Sequence, residues 1–306
     1  MLLRPFKEIT KYLLRCAAHC RLHFLPLSES SAEWWVRTIR RWPAIFDDEQ
    51  IRRRTRLDLG IAMDLGLVDH IERELRLKDE WDRPVKTALM EVLKPGDAFL
   101  DLGANIGYFT LLASKLVGPT GTVIAVEPSI RALRKLTHHL WLNQCDNVLL
   151  LSCAAGDDWR RVSLGLANES NIGGSALLTP GESNRRIEPA LLAPLDELLQ
   201  STELKLRLIK LDLEGFELSA LRGCRRLIER FRPLIMCEVT EKLLQKYGHS
   251  ANELILFFQE LGYELHPPSG HGAIESFDVR QLSDPARQFD VLFAPLESMP
   301  LAVRSA

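Results

Sequence analysis

The sequence is poor in features that mark several large classes of protein. Its six cysteines form no C-x-x-C pair, which favours a reduced, cytoplasmic compartment. No uninterrupted apolar stretch approaches the roughly 18 residues of a membrane span, and basic residues interrupt the apolar N-terminus, so a secretory signal is not predicted. The net charge of −2 and the pI near 6.5 give no global basic field, so nucleic acid is not an expected partner.

A nucleotide-binding turn is present, but it lacks one glycine of the dinucleotide fingerprint. The stretch Ala98 to Thr110 reads A-F-L-D-L-G-A-N-I-G-Y-F-T. It predicts a buried parallel strand, a glycine turn and then a helix, an arrangement in which a ligand lies against backbone N–H groups. The glycine pattern is D-x-G-x-N-x-G, whereas dinucleotide-binding proteins use G-x-G-x-x-G.

The acidic residue in this turn favours one kind of cofactor. Asp101 would repel a pyrophosphate but could accept hydrogen bonds from an ammonium or a hydroxyl group. S-adenosylmethionine carries an ammonium and a sulfonium, so an acidic pocket suits it better than it suits a dinucleotide. Two alternatives stay open, namely an NAD(P)-dependent oxidoreductase and a non-catalytic module that binds a cofactor.

The segments after this turn continue the alternation of strands and helices. T-V-I-A-V is a second buried strand that leads to Glu127, an acid placed to accept from both ribose hydroxyls. A helix from Arg131 and a third strand over residues 147–155 follow, and Gly156-Asp157-Asp158 would lie beside the adenine edge. This order predicts an α/β fold with a doubly wound, mostly parallel sheet.

A second stretch with chemical potential runs from Leu206 to Glu217. Lys210, Asp212 and Glu214 share one parity on a predicted strand and would project together near its carboxyl end, where ligands bind in open α/β sheets. Three ionisable groups on one strand face are costly unless they are paired or used. The alternative is a purely structural Lys–carboxylate cluster.

The remaining segments complete the predicted organisation. Residues 2–25 predict an amphipathic helix, which would pack on the main domain or bind a membrane surface or partner. Residues 160–190 predict a flexible loop over a site or an inert connection. We expect a mainly helical N-terminal extension over residues 1–54, the place to look for a homo-oligomer contact, and a main domain over residues 55–306.

Taken together, these motifs make the chain similar to a known family. With D-L-G-A-N-I-G-Y-F-T, then V-E-P, then I-K-L-D-L-E-G-F-E and C-E-V, it resembles the FkbM family of S-adenosylmethionine-dependent methyltransferases over roughly Asp69 to Pro295. The resemblance implies the class I methyltransferase (Rossmann-like) sheet of seven strands, the last one antiparallel. It also implies methyl transfer to a hydroxyl of a sugar or secondary metabolite, so the expected acceptor is a small molecule or glycan.

The resemblance also assigns roles to residues. It implies that Asp101, Gly103, Asn105 and Gly107 form the loop on the methionine side of the cofactor. Glu127 would contact the ribose, and the segment from Ala155 to Asp157 would flank the adenine. The transfer site would be formed by Lys210, Asp212, Glu214 and Glu217. Asp212 or Glu214 is the expected base, Lys210 tunes the pair, and His266 and His271 are alternative bases. Some related O-methyltransferases hold a divalent cation, so Asp212 and Glu238 could bind Mg²⁺.

Overall fold

The computed structural model describes Thr38 and residues 52–298, apart from 169, 180, 183–185 and 267–278. The helix predicted for residues 2–25 and the alternative base His271 lie outside the described residues. Within these ranges, no helix has both the length and the apolar character required to cross a membrane. The chain divides into two compact units, Met1–Trp81 with Asn168–Gly173 and Asp82–Ala167 with Gly174–Ala306. The domain boundary between residues 54 and 55 stays a prediction.

The first unit contains a β-hairpin and a helix. Strand β1 (Arg53–Arg56) pairs antiparallel with β2 (Ala62–Leu65) across a turn that contains Gly60 at φ +73°. Helix α1 (His70–Lys78) begins after Asp69, whose Oδ1 accepts a hydrogen bond from the Glu72 N–H at 3.1 Å. This side chain satisfies one of the N–H groups that a helix start leaves open, as its N-cap position predicts.

The second unit is built on a seven-stranded sheet with a smaller sheet beside it. Its strands in chain order are β3 (Ala98–Leu102), β4 (Thr122–Val126), β5 (Val148–Leu151), β6 (Ala154–Ala155), β7 (Arg160–Leu166), β8 (Ala176–Leu177), β9 (Arg186–Ala193), β10 (Leu206–Leu211), β11 (Leu234–Val239), β12 (Tyr263–His266) and β13 (Phe289–Pro295). The large sheet has the order β12-β13-β11-β10-β3-β4-β5. Its strands are parallel, except that β13 runs antiparallel to both of its neighbours. This confirms the mostly parallel seven-stranded sheet with an antiparallel last strand.

Helices cover both faces of this sheet, which is why its central strands are mainly apolar. The helices are α2 (Arg83–Val92), α3 (Tyr108–Val117), α4 (Ile130–Leu142), α5 (Leu195–Leu198), α6 (Glu217–Arg222), α7 (Arg225–Phe231), α8 (Glu241–Lys246) and α9 (Ala251–Glu260). On one face Leu100 and Ile124 belong to the large core cluster that includes Leu221 of α6. On the other face Ala125 packs with Leu136 of α4.

The prediction of a loop over residues 160–190 is wrong. Strands β7 and β9 pair antiparallel from Arg160 opposite Leu192 to Leu166 opposite Arg186, and with β6 and β8 they form a four-stranded sheet. The polar, glycine-rich residues between these strands hide their alternation in the sequence. The predicted third strand over residues 147–155 is also two strands, because β5 belongs to the large sheet and β6 to the small one.

Candidate active site

The glycine turn after β3 requires residues without side chains at two positions. Gly103 has φ +79°, and a Cβ atom there would lie 2.0 Å from the Asp212 carbonyl oxygen. Gly107 has φ +94°, and a Cβ there would lie 2.3 Å from Leu136 Cδ1. Both backbone conformations are ones that L side chains rarely adopt. The turn can therefore pack closely against β10 and α4 only because these positions are glycine.

The turn ends at the open start of a helix. Gly107 is the N-cap of α3 and provides no side-chain hydrogen bond, so the first N–H groups of this ten-residue helix are not capped by that position. Such an N-terminus favours a carboxylate, because its N–H groups and the helix dipole both attract negative charge.

Glu127, which directly follows β4, is hydrogen-bonded to the glycine turn. Its Oε2 accepts from the Asn105 N–H at 2.9 Å, and its Oε1 accepts from the Ser129 N–H at 2.8 Å. Asn105 itself has a left-handed backbone (φ +50°), and its buried side-chain oxygen Oδ1 has no hydrogen-bond partner. Burial raises the pKa of Glu127 to about 7, against the lowering effect of these two backbone N–H groups.

Asp101 is fully buried at the carboxyl end of β3. Its Oδ2 accepts from Thr110 Oγ1 at 2.6 Å, whereas its Oδ1 has no hydrogen-bond partner and lies 3.7 Å from Lys210 Nζ. Burial raises the pKa of Asp101, and the charge of Lys210 and the hydrogen bond from Thr110 act against that increase. This carboxylate therefore has one oxygen committed to α3 and one that can accept a further donor.

Lys210 lies at the centre of the charges. The register of the sheet places it directly beside Asp101, and its Nζ is 3.2 Å from the Gly103 carbonyl oxygen and 3.4 Å from Asp212 Oδ2. Its side chain is 4% exposed and its Nζ is 5.7 Å from the centroid of the Phe109 ring. Burial alone would lower the pKa of Lys210, but the nearby carboxylates raise it overall, so this amine is a permanent cation.

Three further carboxyl groups, two of them outside the motifs, act on this site. Burial raises the pKa of Asp82, at the start of α2, to about 6, with Lys210 lowering it and Asp212 raising it. Burial and the charge of Asp212 raise the pKa of Glu238 to about 10. Asp290 on β13 faces Glu238 in the sheet register, and burial, followed by the charge of Asp82, raises its pKa to about 7.

Sequence reasoning missed Asp82 and Asp290. Asp82 stands before Arg83-Pro84, which marks a helix start but gives no hint of a site. Asp290 is a charged residue within the apolar strand F-D-V-L-F-A, and that inconsistency was the available signal. Their role depends on which strands and helices become neighbours, and the motifs do not contain that information.

The strand-parity argument for Glu214 fails in the structure. Strand β10 ends at Leu211, and Glu214 lies in the following turn with φ +54°, so it does not continue the face of Lys210. Glu217 is 1% exposed, and its Oε1 accepts from the N–H groups of Leu213 at 3.0 Å and Gly215 at 3.1 Å. Glu217 therefore stabilises the turn from within and does not face outward toward a transfer site. Burial raises its pKa to about 7.

The segment proposed for adenine lies at the end of β6, where the chain leads into β7 of the small sheet. Ala155 is buried in β6 and pairs with Ala193 of β9. Asp157 is half exposed, and its Oδ1 accepts from Ser219 Oγ of α6 at 2.8 Å. The backbone between them is packed tightly, because a Cβ on Gly223 would lie 1.8 Å from the Gly156 carbonyl oxygen.

The donor set does not support the Mg²⁺ site predicted from Asp212 and Glu238. No group of three or more His, Cys, Asp or Glu side chains within residues 52–298, as far as they are described, comes together in a way that could hold a metal ion. Glu238 is already engaged, since its Oε2 accepts from Gln288 Nε2 at 2.7 Å. His266, an alternative base, ends the edge strand β12.

The comparisons agree with this architecture. The family model described as the Methyltransferase FkbM domain matches residues 101–265, which is more than half of the chain. The chain belongs to the FkbM family of S-adenosylmethionine-dependent methyltransferases. The resemblance read from the motifs is thereby confirmed. No curated protein matches the sequence.

Solved structures of methyltransferases show weaker likeness. An FkbM methyltransferase from Methylobacillus flagellatus KT is 20% identical with a TM-score of 0.41, over 72% of this chain and 52% of that one. The present chain therefore spans about half the length of that protein. An rRNA methylase from Streptococcus thermophilus is 14% identical with a TM-score of 0.42, over 71% of this chain and 99% of that one. TYW2 of M. jannaschii, in complex with AdoMet, is 15% identical with a TM-score of 0.37, over 78% of this chain and 84% of that one. The family assignment rests on the family model, and these low scores add nothing to it.

Proposed function

We propose that this FkbM methyltransferase transfers a methyl group from S-adenosylmethionine to a hydroxyl group of a small molecule or glycan. The observation that carries the proposal is a pair of buried oxygens without hydrogen-bond partners, Asp101 Oδ1 just before the glycine turn and Asn105 Oδ1 within it. A buried acceptor without a donor is costly. A ligand that presents an ammonium and hydroxyl groups would satisfy both oxygens.

The residues at the turn suit each part of this cofactor. Asp101 would accept from the ammonium, and the uncapped start of α3 would attract the carboxylate of the methionine part. Glu127 holds two backbone N–H groups, and each of its oxygens has a second lone pair that can accept from a ribose hydroxyl. The turn from Ala155 to Asp157 would flank the adenine. Gly103 and Gly107 allow the turn itself to pack closely against β10 and α4.

The reacting end would be served by residues of β10 and its following turn. When bound, S-adenosylmethionine supplies a methyl group on a sulfonium sulfur. Asp212 is 40% exposed and carries its carboxylate 3.4 Å from Lys210 Nζ, so it can reach an acceptor while remaining fixed. We assign Asp212 the role of general base. It would take the proton of the acceptor hydroxyl while the oxygen–methyl bond forms. The carbon–sulfur bond would break at the same time, and the electron pair of that bond would stay on sulfur. Lys210 is the positioning cation, and Glu214 is the second candidate base.

The charge of the site favours an acceptor without phosphate groups. Asp82, Asp212, Glu238 and Asp290 act on one another electrostatically, and Lys210 is the cation that lowers the pKa of Asp82 and Asp290. A polyphosphate backbone needs cationic side chains along its path. Glu238 is protonated at neutral pH because its pKa is about 10, but Asp82, with a pKa of about 6, would be ionised and would repel such a backbone. This is our reason for preferring a neutral or cationic hydroxyl compound over RNA.

Methyl transfer can be tested with radiolabelled S-adenosylmethionine. Purified protein would be incubated with neutral sugars, amino sugars, phosphosugars and total RNA, and label would be followed into each fraction. We expect label in an unphosphorylated hydroxyl compound, and Asp212→Asn should lower kcat about 100-fold with unchanged cofactor affinity. Label in RNA, with none in any hydroxyl compound, would overturn the proposed acceptor class. Failure to transfer label despite tight cofactor binding would favour the non-catalytic module.

A further inference from the structure

Helix α4 forms the support behind the cofactor turn. Leu136 packs with Ala104 of the turn and with Ala125 of β4 in one buried cluster. The same side chain lies where a Cβ of Gly107 would be. His139 follows Leu136 by three residues, so both side chains lie on the same face of the helix. The buried face of α4 thus carries both apolar and polar side chains.

The polar contact is directed at the backbone of the turn. His139 is 1% exposed, and its Nδ1 lies 2.8 Å from the Ile106 carbonyl oxygen. A carbonyl oxygen only accepts, so Nδ1 must carry a proton and donate it. The bond fixes the orientation of the peptide group between Ile106 and Gly107. This peptide group directly precedes the left-handed backbone conformation of Gly107.

The other end of the turn is held by different contacts. The Gly103 and Ala104 N–H groups donate to the Val126 carbonyl oxygen at 3.0 and 3.1 Å, and the Asn105 N–H donates to Glu127. These bonds all come from β4 and the residue that follows it. His139 supplies the bond on the α3 side, where the turn becomes the helix start proposed to receive the methionine carboxylate.

We infer that His139 is a positioning residue for S-adenosylmethionine binding, which acts through the Ile106 carbonyl group to fix the turn from Gly103 to Gly107. The inference rests on the proposed function of that turn. His139 itself need not touch the cofactor. Removing its N–H leaves the buried Ile106 carbonyl group without this donor. Rotation of the Ile106–Gly107 peptide group toward another donor then becomes more favourable. The methionine side of the cofactor should then be affected more than the adenosine side.

The test uses substitutions of His139 that distinguish the loss of its hydrogen bond from the loss of its ring. In His139→Asn the side-chain NH₂ can take the place of Nδ1, whereas His139→Leu keeps comparable bulk and loses the donor. The exposed His138 on the same helix gives a control, His138→Leu. Binding of S-adenosylhomocysteine and of 5′-methylthioadenosine, which lacks the amino-acid part, would be measured by calorimetry, and Tm would be recorded for every variant.

We expect His139→Leu to weaken S-adenosylhomocysteine binding about tenfold, since a buried unmatched carbonyl costs on that order. Binding of 5′-methylthioadenosine should change less than about twofold, and His139→Asn and His138→Leu should bind S-adenosylhomocysteine like the wild type within about twofold. Equal weakening of both ligands, or no difference between the Leu and Asn variants, would overturn the positioning role. If His139→Leu does not fold, the comparison of His139→Asn with His139→Gln, whose donor lies one bond further out, decides in its place. If the wild type binds neither ligand, the proposed function itself fails, which is a separate and recognisable result.

Discussion

Lys210 and Asp101 occupy directly opposed positions on neighbouring parallel strands, and Lys210 Nζ lies 3.7 Å from Asp101 Oδ1. Both side chains are almost completely buried. A buried charge pair is expensive to form, and it becomes more expensive if one partner is lost. In this site the amine also contacts the Gly103 carbonyl group and Asp212, so a single cation connects the cofactor turn to the proposed base.

Replacing Lys210 by Met should therefore destabilise the protein. The substitution keeps most of the volume but leaves Asp101 and Asp212 without their common cation, and we expect a loss of about 3 kcal/mol in the free energy of unfolding at neutral pH. Urea unfolding measures it. Adding Asp101→Asn to Lys210→Met should recover part of the loss because it removes the uncompensated charge. If the double variant is as unstable as the sum of the two single variants, Lys210 does not stabilise Asp101.

Gly103 should tolerate no side chain. In Gly103→Ala the Cβ would meet the Asp212 carbonyl oxygen at 2.0 Å, in addition to the strain of a left-handed backbone, about 1–2 kcal/mol. Gly248→Ala is a matched control, because Gly248 has φ +76° and nothing within 4 Å of its Cβ position. We expect the control to lose stability only and Gly103→Ala to lose measurable cofactor binding in calorimetry as well. Equal cofactor affinity in the two variants would contradict the close packing of the turn on β10.

The pH dependence of stability should reveal the buried carboxyl group of Glu217. Burial raises its pKa from 4.5 to about 7 in the folded protein, so the folded state binds the proton more tightly than the unfolded chain. Its contribution to stability is complete below about pH 4.5 and is lost as the pH rises through about 7. Glu217→Gln should make the free energy of unfolding fall less between these limits, while the exposed Glu203→Gln leaves the slope as it is. An unchanged slope in Glu217→Gln would show that folding does not raise the pKa of this group.

Glu238 should weaken the protein at alkaline pH. Burial and the charge of Asp212 raise its pKa to about 10, so at pH near 8 the folded state must hold a proton that the unfolded chain releases. Glu238→Gln removes this cost, and we expect a higher free energy of unfolding near pH 8, with a difference that disappears on acidification below about pH 4.5. Glu264→Gln, an exposed position on β12, is the control. Lower stability of Glu238→Gln at alkaline pH would mean that this carboxylate is ionised and productively paired.

The sequence predicts the elements around the cofactor turn well, because local pattern alone determines them. The apolar run before Asp101, the glycines and the helix predicted after them agree with β3, the turn and α3. The motif also names Lys210, but its burial and its position beside Asp101 follow from which strands become neighbours in the sheet.

Features that depend on contacts between distant parts of the chain could not be predicted. Asp82 and Asp290 are separated by most of the chain and approach the site only once α2 and β13 are in place. The hydrogen bond from His139 to Ile106 joins helix α4 to a turn 33 residues earlier in the chain, with α3 and β4 between them. The small sheet of β6 to β9 was missed for a local reason, since polar and glycine residues surround its apolar positions.

The most direct test of this account is calorimetric titration of S-adenosylmethionine into the wild type, Asp101→Ala and Glu127→Ala, with NAD⁺ as a parallel ligand and Tm recorded for each protein. We predict roughly micromolar binding to the wild type, at least tenfold weaker binding to both variants and no binding of NAD⁺. Absence of S-adenosylmethionine binding to folded wild-type protein, or a preference for NAD⁺, would contradict the proposed cofactor site.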